Sequence, residues 1–324
     1  MMNDRRPAAP AGTSAAPSAT IARMIPAEET FAGTWPFAPR YFSGAGFRMH
    51  YVDEPGQGPE TIVCLHGEPT WGYLYRRFIP RLAQHGRVVV PDLMGFGKSE
   101  TPQDRSYTIR DHADNLGALL DHLDLRRITF VAQDWGGPIA SAFALRHPDR
   151  IERLCLMNTG VPGLPPSGGR TVRDLPWFQW VQTEESRAVL SNLGATVLSV
   201  LKRIGFERTA HVDETWVRAY AAAFPTSADC KGALAFPAAI NSNETRAFML
   251  PLLQNLPALA AKPAMYIHGE EDRAIPTEFS VGAFRSTWPR GPVITLPGVG
   301  HFLQEDAPET VCALISQFIQ MTAH

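Results

Sequence analysis

The chain has 324 residues, 44% of them hydrophobic, and a formal net charge of −2 at pH 7. This length can bury a large core in one domain with an insertion, and the near-neutral charge argues against nucleic acid as a partner. No apolar run reaches the roughly 20 residues that cross a bilayer, so we expect no membrane partner.

The first residues, Met1 to Ile25, are rich in Ala, Pro, Ser and Thr and lack hydrophobic periodicity, which predicts a disordered tail. Arg5 and Arg6 resemble the start of a twin-arginine signal, but no apolar segment follows them. The four cysteines are widely spaced without a CxxC pair, as is typical of reduced core residues. We therefore expect a cytoplasmic protein that is a monomer or a weak dimer.

Strand-like and helix-like segments alternate along the chain. Short apolar or alternating runs predict strands over Phe47–Asp53, Glu60–Leu65, Arg87–Pro91, Arg127–Ala132, Ile151–Met157, Ala264–His268 and Pro292–Leu296. Helical periodicity predicts helices over Tyr73–His85, Tyr107–Leu123, Pro138–His147 and Pro308–Met321. This alternation predicts an α/β fold with a mostly parallel, doubly wound sheet.

The alternation stops between residues 160 and 243. This segment is rich in Pro and Gly at first and then helical in pattern, most clearly over Thr196–Ile204 and Glu214–Ala223. We interpret residues 160–243 as a helical cap domain inserted after the sixth strand. Residues 26–159 and 244–324 would then form the core domain.

The segment Val131–Gly137 joins a predicted strand to a predicted helix and carries Asp134 at its centre. Small residues two before and two after it, here Ala132 and Gly136, are typical of the sharp elbow that lifts a nucleophile above a sheet edge. A carboxylate is already ionised at neutral pH, so it needs no general base to attack. The pattern predicts alkyl transfer to Asp134 as the first chemical step.

A base for a second step lies late in the chain. His301 sits in a Gly-flanked loop after the strand-like Pro292–Leu296. Upstream, the strand-like Ala264–His268 runs into an acidic turn that ends in Asp272, which could orient the imidazole. The order nucleophile, acid, histidine is that of α/β-hydrolases.

The turn after the predicted strand Glu60–Leu65 supplies a further element. It reads His-Gly-Glu-Pro, and the backbone N–H of Glu68, together with that of Trp135, could form an oxyanion hole. The four elements agree in chain order and in context.

Each of these residues also has a structural interpretation. Asp134 could be a turn former, because Asp bonds to its own backbone in turns, and His301 could simply pack within its loop. Charge clusters are usually solvated surface. Three carboxylates near Asp272 compete with it for the role of acid, namely Glu270, Glu271 and Glu305.

The chain resembles the haloalkane dehalogenases of the α/β-hydrolase superfamily over nearly its whole length after the first few dozen residues. The stretch Cys64–Arg76, which contains His-Gly-Glu-Pro-Thr-Trp, is similar to the subfamily that has Glu after His-Gly. Pro91–Ser99, Gln133–Gly137 and Ala219–Pro225 are similar to family segments as well. The Asp-Trp-Gly-Gly element alone is shared with epoxide hydrolases, whereas the combination is more specific. The resemblance implies an α/β-hydrolase fold.

The resemblance also implies a halide site. In this subfamily the catalytic acid follows the seventh strand, which matches Asp272, and the halide lies between two indole N–H donors. Trp135 matches the donor beside the nucleophile. For the donor from the cap the sequence offers Trp180, which we prefer because the family has a Phe shortly before its cap Trp, and Trp177 as the alternative.

The implied reaction uses a small apolar halogenated substrate and water. Asp134 would form an alkyl ester as halide leaves, and water activated by His301 would hydrolyse that ester. The products would be an alcohol, a halide ion and a proton. No metal or organic cofactor is expected.

Other functions remain as alternatives. Epoxide hydrolases share the Asp nucleophile and the His base but use paired cap tyrosines, and the inferred cap has Tyr220 as its single tyrosine. Fluoroacetate dehalogenases carry arginine beside the nucleophile, where this chain has Trp135. A non-catalytic ligand-binding homologue would be expected to lack part of the triad.

Overall fold

Eight strands form one sheet in the computed structural model, which describes residues 24–163 and 172–323. The strands are β1 Arg40–Phe42, β2 Met49–Glu54, β3 Glu60–Leu65, β4 Gly86–Pro91, β5 Ile128–Asp134, β6 Ile151–Thr159, β7 Ala264–Gly269 and β8 Val293–Leu296. Their order in the sheet is β1-β2-β4-β3-β5-β6-β7-β8. Only β2 runs antiparallel to its neighbours among these eight. The α/β class with a mostly parallel sheet is thus confirmed.

The helices of the first half follow the strands closely. They are α1 Ile79–Leu82, α2 Ile109–His122 and α3 Gly136–Arg146. The helices between β6 and β7 are α4 Pro176–Trp180, α5 Glu184–Leu190, α6 Leu193–Gly205, α7 Glu214–Ala221, α8 Lys231–Asn241, α9 Asn243–Leu252 and α10 Leu256–Ala260. The last helices are α11 Thr277–Thr287, α12 Leu303–Asp306 and α13 Pro308–Met321. Short 3₁₀ turns cover Gly72–Tyr75, Pro148–Arg150, Val172–Asp174, Thr209–His211, Ser227–Cys230 and Leu253–Asn255.

The helix predicted over Tyr73–His85 is wrong. The structure has a 3₁₀ turn over Gly72–Tyr75 and a separate short helix, α1. Pro80 explains the break, because proline lacks the N–H that a continuous helix needs and favours the first turn of a new one. The strand β1 and the helix α11 were not predicted.

Of the tail predicted over residues 1–25, residues 1–23 lie outside the described residues. Ile25, in contrast, is buried in the core. The predicted boundaries of the cap at residues 160 and 243 remain predictions, although α9 packs on α2 and α3 of the core. Among the described residues, no helix is long and apolar enough to cross a membrane.

The central strands β3, β5 and β6 are buried along most of their length, which requires cover on both faces of the sheet. Helices α2 and α3 pack together, as do α1 and α13. All four cysteines are buried and free, as expected. Burial raises the pKa of the Cys155 thiol to about 12, so this thiol is protonated and inert at neutral pH.

One buried cation joins the first residues of β3 and β5 to the segment that follows α13. The Arg153 side chain is fully buried and pairs with Glu60. It also donates to the Thr129 hydroxyl at 2.9 Å and to the Thr322 hydroxyl at 2.8 Å. Because a buried charge is tolerated only when it is paired, this network depends on every partner.

Replacing Arg153 with Met should lower the free energy of unfolding by about 3–5 kcal/mol, because Glu60 would keep a partly buried, unpaired charge. Urea denaturation measures this change. The matched control is Arg126→Met, which removes the exposed pair with Asp124 and should leave the midpoint unchanged. Equal midpoints for both variants would contradict the prediction.

Candidate active site

The nucleophile elbow ends β5. Asp134 is the last residue of this strand and has a φ of 52°, a conformation that an L residue keeps only when its surroundings enforce it. The Thr159 hydroxyl, at the end of β6, donates to the Asp134 carbonyl. A Cβ on Gly137 would lie 1.9 Å from the Thr159 Oγ1, and one on Gly136 would lie 2.3 Å from the Leu65 carbonyl oxygen. The two glycines therefore let α3 start directly beside the neighbouring strands.

Three side chains that follow or end three strands meet above the sheet edge. The His301 imidazole donates from Nε2 to Asp134 Oδ2 at 3.2 Å and from Nδ1 to Asp272 Oδ2 at 2.7 Å. His301 and Asp272 are both buried, whereas Asp134 is partly exposed. The structure thus brings together the residues predicted as nucleophile, base and acid.

The carboxylates that compete with Asp272 in the sequence lie elsewhere. Glu270 and Glu271 are exposed, and Glu305 forms a buried pair with Arg76. Asp272 is therefore the acid that reaches the imidazole. Among residues 24–163 and 172–323, no group of three or more His, Cys, Asp or Glu side chains is arranged to hold a metal ion.

Asn158 is a site residue that the sequence did not single out. Its amide donates to Asp272 Oδ2 at 2.6 Å and accepts the Gly269 N–H at 2.8 Å. The other carboxylate oxygen of Asp272 accepts the N–H groups of Ala274 and Ile275 at 2.8 and 2.9 Å. The sequence carries no local signal for this role, because the role depends on β6 and β7 being adjacent.

Two carboxylates surround one imidazole in this site. Burial alone would lower the pKa of His301, but the charges and hydrogen bonds of Asp272 and Asp134 outweigh burial and raise the pKa to about 10. Burial would likewise raise the pKa of Asp272, yet the His301 charge and hydrogen bond hold it below its usual value. At neutral pH the resting site is therefore an imidazolium held between carboxylates.

The turn after β3 approaches the nucleophile from the other side. The Glu68 N–H donates to Asp134 Oδ1 at 2.7 Å. A Cβ on Gly67 would lie 2.0 Å from Asp134 Oδ1 and 2.6 Å from the Trp135 backbone nitrogen, so only glycine allows this approach. The Glu68 side chain is buried, and burial together with the Asp134 charge raises its pKa well above the usual range. Both effects favour the protonated form of this side chain.

A cavity of about 410 Å³ opens above Asp134 and Trp135. Its walls come from α3, the segment after β6, α9 and α11, and they are mostly apolar. The wall residues include Ile109, Pro138, Val161, Phe178, Met249, Leu253, Ile275 and Phe279. This volume lies in the range of small-molecule sites, and the Asp134 carboxylate is its one ionisable group among the described lining residues.

Comparisons with known proteins identify the family. A family profile for the α/β hydrolase fold matches residues 60–308. "Haloalkane dehalogenase 2" of Mycobacterium tuberculosis is 35% identical over 291 residues, which cover 87% of this chain and 94% of that protein. The chain belongs to the haloalkane dehalogenase family.

Two further matches extend the comparison. The crystal structure of haloalkane dehalogenase DbeA from Bradyrhizobium elkani matches with a TM-score of 0.76 and 29% sequence identity. The match covers 88% of this chain and 98% of that chain. A protein named cis-3-alkyl-4-alkyloxetan-2-one decarboxylase, from Shewanella oneidensis, is 31% identical over 89% of this chain and 90% of its own length.

The three tryptophans of this chain that were predicted for the halide site lie in different surroundings. Trp135 lines the cavity, and its ring stacks on Phe236 of α8 at a centroid distance of 4.9 Å and an angle of 12°. Neither Trp177 nor Trp180 is among the described residues that line the cavity. Trp180 is buried below the Arg203 guanidinium, and its Nε1 has no hydrogen-bond partner among residues 24–163 and 172–323.

The single cap tyrosine is engaged away from the nucleophile. Tyr220 is buried, and its hydroxyl donates to Glu305 Oε1 at 2.5 Å. Glu305 also binds the Arg76 guanidinium and His211 Nε2. Tyr220 does not line the cavity over Asp134 among the described residues, so it is not arranged to protonate an epoxide oxygen there.

Replacing Asp134 with Asn should lower the pKa of His301 below about 10, because a negative charge and a hydrogen-bond acceptor for Nε2–H are lost. NMR titration of the His301 ring measures this pKa. Asp149→Asn, which neutralises an exposed carboxylate outside the site, should leave it unchanged. An unaltered pKa in Asp134→Asn would mean that the two side chains are not coupled.

Proposed function

We propose that this protein hydrolyses the carbon–halogen bonds of small apolar haloalkanes through an ester on Asp134. The observation that carries the proposal is the placement of this carboxylate. It is the ionisable group at the floor of an apolar cavity, with Oδ1 bound by the Glu68 N–H and Oδ2 facing His301. Family membership supports the same chemistry.

The first step needs only the carboxylate and a site for the departing anion. Because Oδ1 is held by Glu68, we assign attack to Asp134 Oδ2, which bonds to the substrate carbon as the bond to halogen breaks. The electron pair leaves with the halide. An anion in an apolar pocket is costly unless donors stabilise it, and an N–H donor without a net charge can do so without holding the product too firmly.

We assign the first of these donors to Trp135, whose indole lines the cavity. Stacking on Phe236 fixes the plane of its ring. For the second donor we keep Trp180, with Trp177 as the alternative. Trp180 Nε1 has no hydrogen-bond partner among the described residues, which supports the assignment. Trp180 lies outside the cavity wall, so the assignment requires a movement of the cap.

The second step transfers a proton to His301. Once Asp134 is an ester, it no longer carries the charge that helps to raise the pKa of His301, so the imidazolium can release its Nε2 proton to solvent and the neutral ring can act as base. Water then attacks the carbonyl carbon of the ester and gives one proton to His301 Nε2. The oxygen that becomes negative is Oδ1, which the Glu68 and Trp135 N–H groups stabilise. The bond between the Asp134 carbonyl carbon and the alkoxy oxygen then breaks, and Nε2–H protonates the leaving alcohol. The carboxyl group of Asp134 loses its proton to solvent and is restored as a carboxylate.

The purified protein should release halide and acid from a panel of chloro-, bromo- and iodoalkanes, and Asp134→Asn should release none. Ion chromatography measures the halide. Asp149→Asn, an exposed substitution, is the control and should act as wild type. Halide release by Asp134→Asn at the wild-type rate would refute the assigned nucleophile.

The same panel should contain styrene oxide and a cis-3,4-dialkyloxetan-2-one. The first tests the epoxide hydrolase alternative, and the second tests the reaction named for the Shewanella relative. We expect neither a diol nor carbon dioxide at rates close to halide release. Diol formation or decarboxylation without halide release would move the protein to another activity with the same nucleophile.

Replacing His301 with Phe should trap the ester, because attack by Asp134 needs no base whereas hydrolysis does. We expect one stoichiometric burst of halide, followed by turnover that is about a hundred- to ten-thousand-fold slower. Intact-protein mass spectrometry should show the alkyl group, and peptide mapping should locate it on Asp134. Steady turnover at the wild-type rate would refute the role of His301.

A further inference from the structure

The C-terminal end of the cap helix α6 lies between the two loops that carry the acid and the base. The Ile204 carbonyl accepts the Arg273 N–H at 2.8 Å, and the Gly205 carbonyl accepts the Phe302 N–H at 3.3 Å. Arg273 directly follows Asp272, and Phe302 directly follows His301. The free carbonyls that end every α-helix are therefore used here to hold the residue that follows the acid and the residue that follows the base.

This contact is too close for any side chain. Gly205 has a φ of 136°, and a Cβ on it would lie 2.9 Å from the His301 nitrogen and 2.9 Å from the Glu271 carbonyl oxygen. On the facing loop, a Cβ on Gly300 would lie 2.3 Å from the Gly205 carbonyl oxygen. Glycine on both sides thus lets the two backbones meet directly.

A buried carboxylate completes the contact from the core. Asp306, the last residue of α12, accepts the Gly300 N–H at 2.8 Å through Oδ2. Through Oδ1 it accepts the N–H groups of Arg208 at 2.7 Å and Glu207 at 3.1 Å. One side chain therefore joins the residue before His301 to the cap segment that follows α6. A side chain that only accepts hydrogen bonds suits these three backbone donors.

We propose that the end of α6 and Asp306 position His301 for ester hydrolysis, so that the cap supports the triad in addition to enclosing the substrate. Gly205 and Asp306 are positioning residues in this sense, since neither touches the reacting atoms. The inference rests on the proposed function, because it concerns the second half of the proposed reaction.

The two half-reactions depend on different parts of the structure. Asp134 is held by the elbow of β5, by Thr159 and by the Glu68 N–H, none of which involves α6 or Asp306. His301 is held by hydrogen bonds to Asp272 and Asp134 and by the backbone contacts of its loop. Loosening those contacts should therefore slow ester hydrolysis and leave ester formation unchanged.

The variants Asp306→Asn and Gly205→Ala test this division. The amide of the first would turn an N–H₂ group toward backbone donors, and the methyl group of the second would push the His301 loop. Rapid-quench kinetics with 1-bromohexane, or the best substrate of the panel, should show a halide burst at the wild-type rate. Ester hydrolysis should then be about a hundredfold slower, the scale expected for a catalytic group displaced by about 1 Å.

The control variant is Glu309→Gln, which removes an exposed carboxylate three positions after Asp306 that pairs with Arg81. Both half-reactions of this variant should match wild type. A second measurement separates positioning from lost stability: in Asp306→Asn the pH dependence of ester hydrolysis should shift, and the Nδ1 proton of His301 should move in the NMR spectrum.

Three outcomes would overturn the proposal. The first is wild-type ester hydrolysis in both variants. The second is equal slowing of burst and hydrolysis, which indicates general destabilisation. The third is an unchanged Nδ1 proton resonance in both variants. This resonance needs no substrate, so it still tests positioning if wild type releases no halide from any haloalkane, a result that would defeat the proposed function alone.

Discussion

The buried contact of one imidazolium with two carboxylates is the interaction on which the rest of the site depends. His301 donates to Asp134 at 3.2 Å and to Asp272 at 2.7 Å, and it is fully shielded from water. A charge in that position is stable only while both partners keep their geometry. The site therefore needs fixed positions for the strained elbow of β5 and for the loops after β7 and β8. The parallel sheet provides them because the ends of these strands lie along the same edge. Asn158 adds a further constraint because it holds Asp272 from β6, the strand between β5 and β7.

In the proposed reaction at Asp134, the same contact would change the preferred protonation state of His301 between the two steps. Before attack, both carboxylates favour the protonated ring and raise the pKa of His301 to about 10. After ester formation only Asp272 keeps its charge, so the ring becomes able to accept a proton when water must be activated. The raised pKa of Glu68 fits this scheme, since a further negative charge close to Asp134 would repel the charge of the attacking carboxylate. The loss of charge on Asp134 therefore sets the order of the two steps.

The sequence was sufficient for the parts of the site that local patterns encode. Asp134 and His301 follow short apolar strands and have small neighbours, and such signals survive without knowledge of the distant chain. Asn158 was missed because its role exists only once β6 and β7 are adjacent. Proline broke the helix predicted over Tyr73–His85, and the hydroxyl of Tyr220 turned out to be committed to Glu305 through a contact 85 residues away in sequence. Contacts of this kind depend on packing, which periodicity does not report.

Helix α12 explains why the cap and the base loop cannot be treated as separate units. Its two final residues point to different parts of the cap: Glu305 binds Tyr220 and His211, whereas Asp306 binds the backbone that follows α6. Both acids lie within five residues of His301, so a displacement of the cap is transmitted to the catalytic ring over a short, hydrogen-bonded path. Substitutions that reshape the cap to admit other substrates should therefore change the rate of ester hydrolysis as well as the fit of the substrate. Exchange of the cap between relatives is expected to succeed only where the cap segments that Glu305 and Asp306 bind are exchanged together with these two acids.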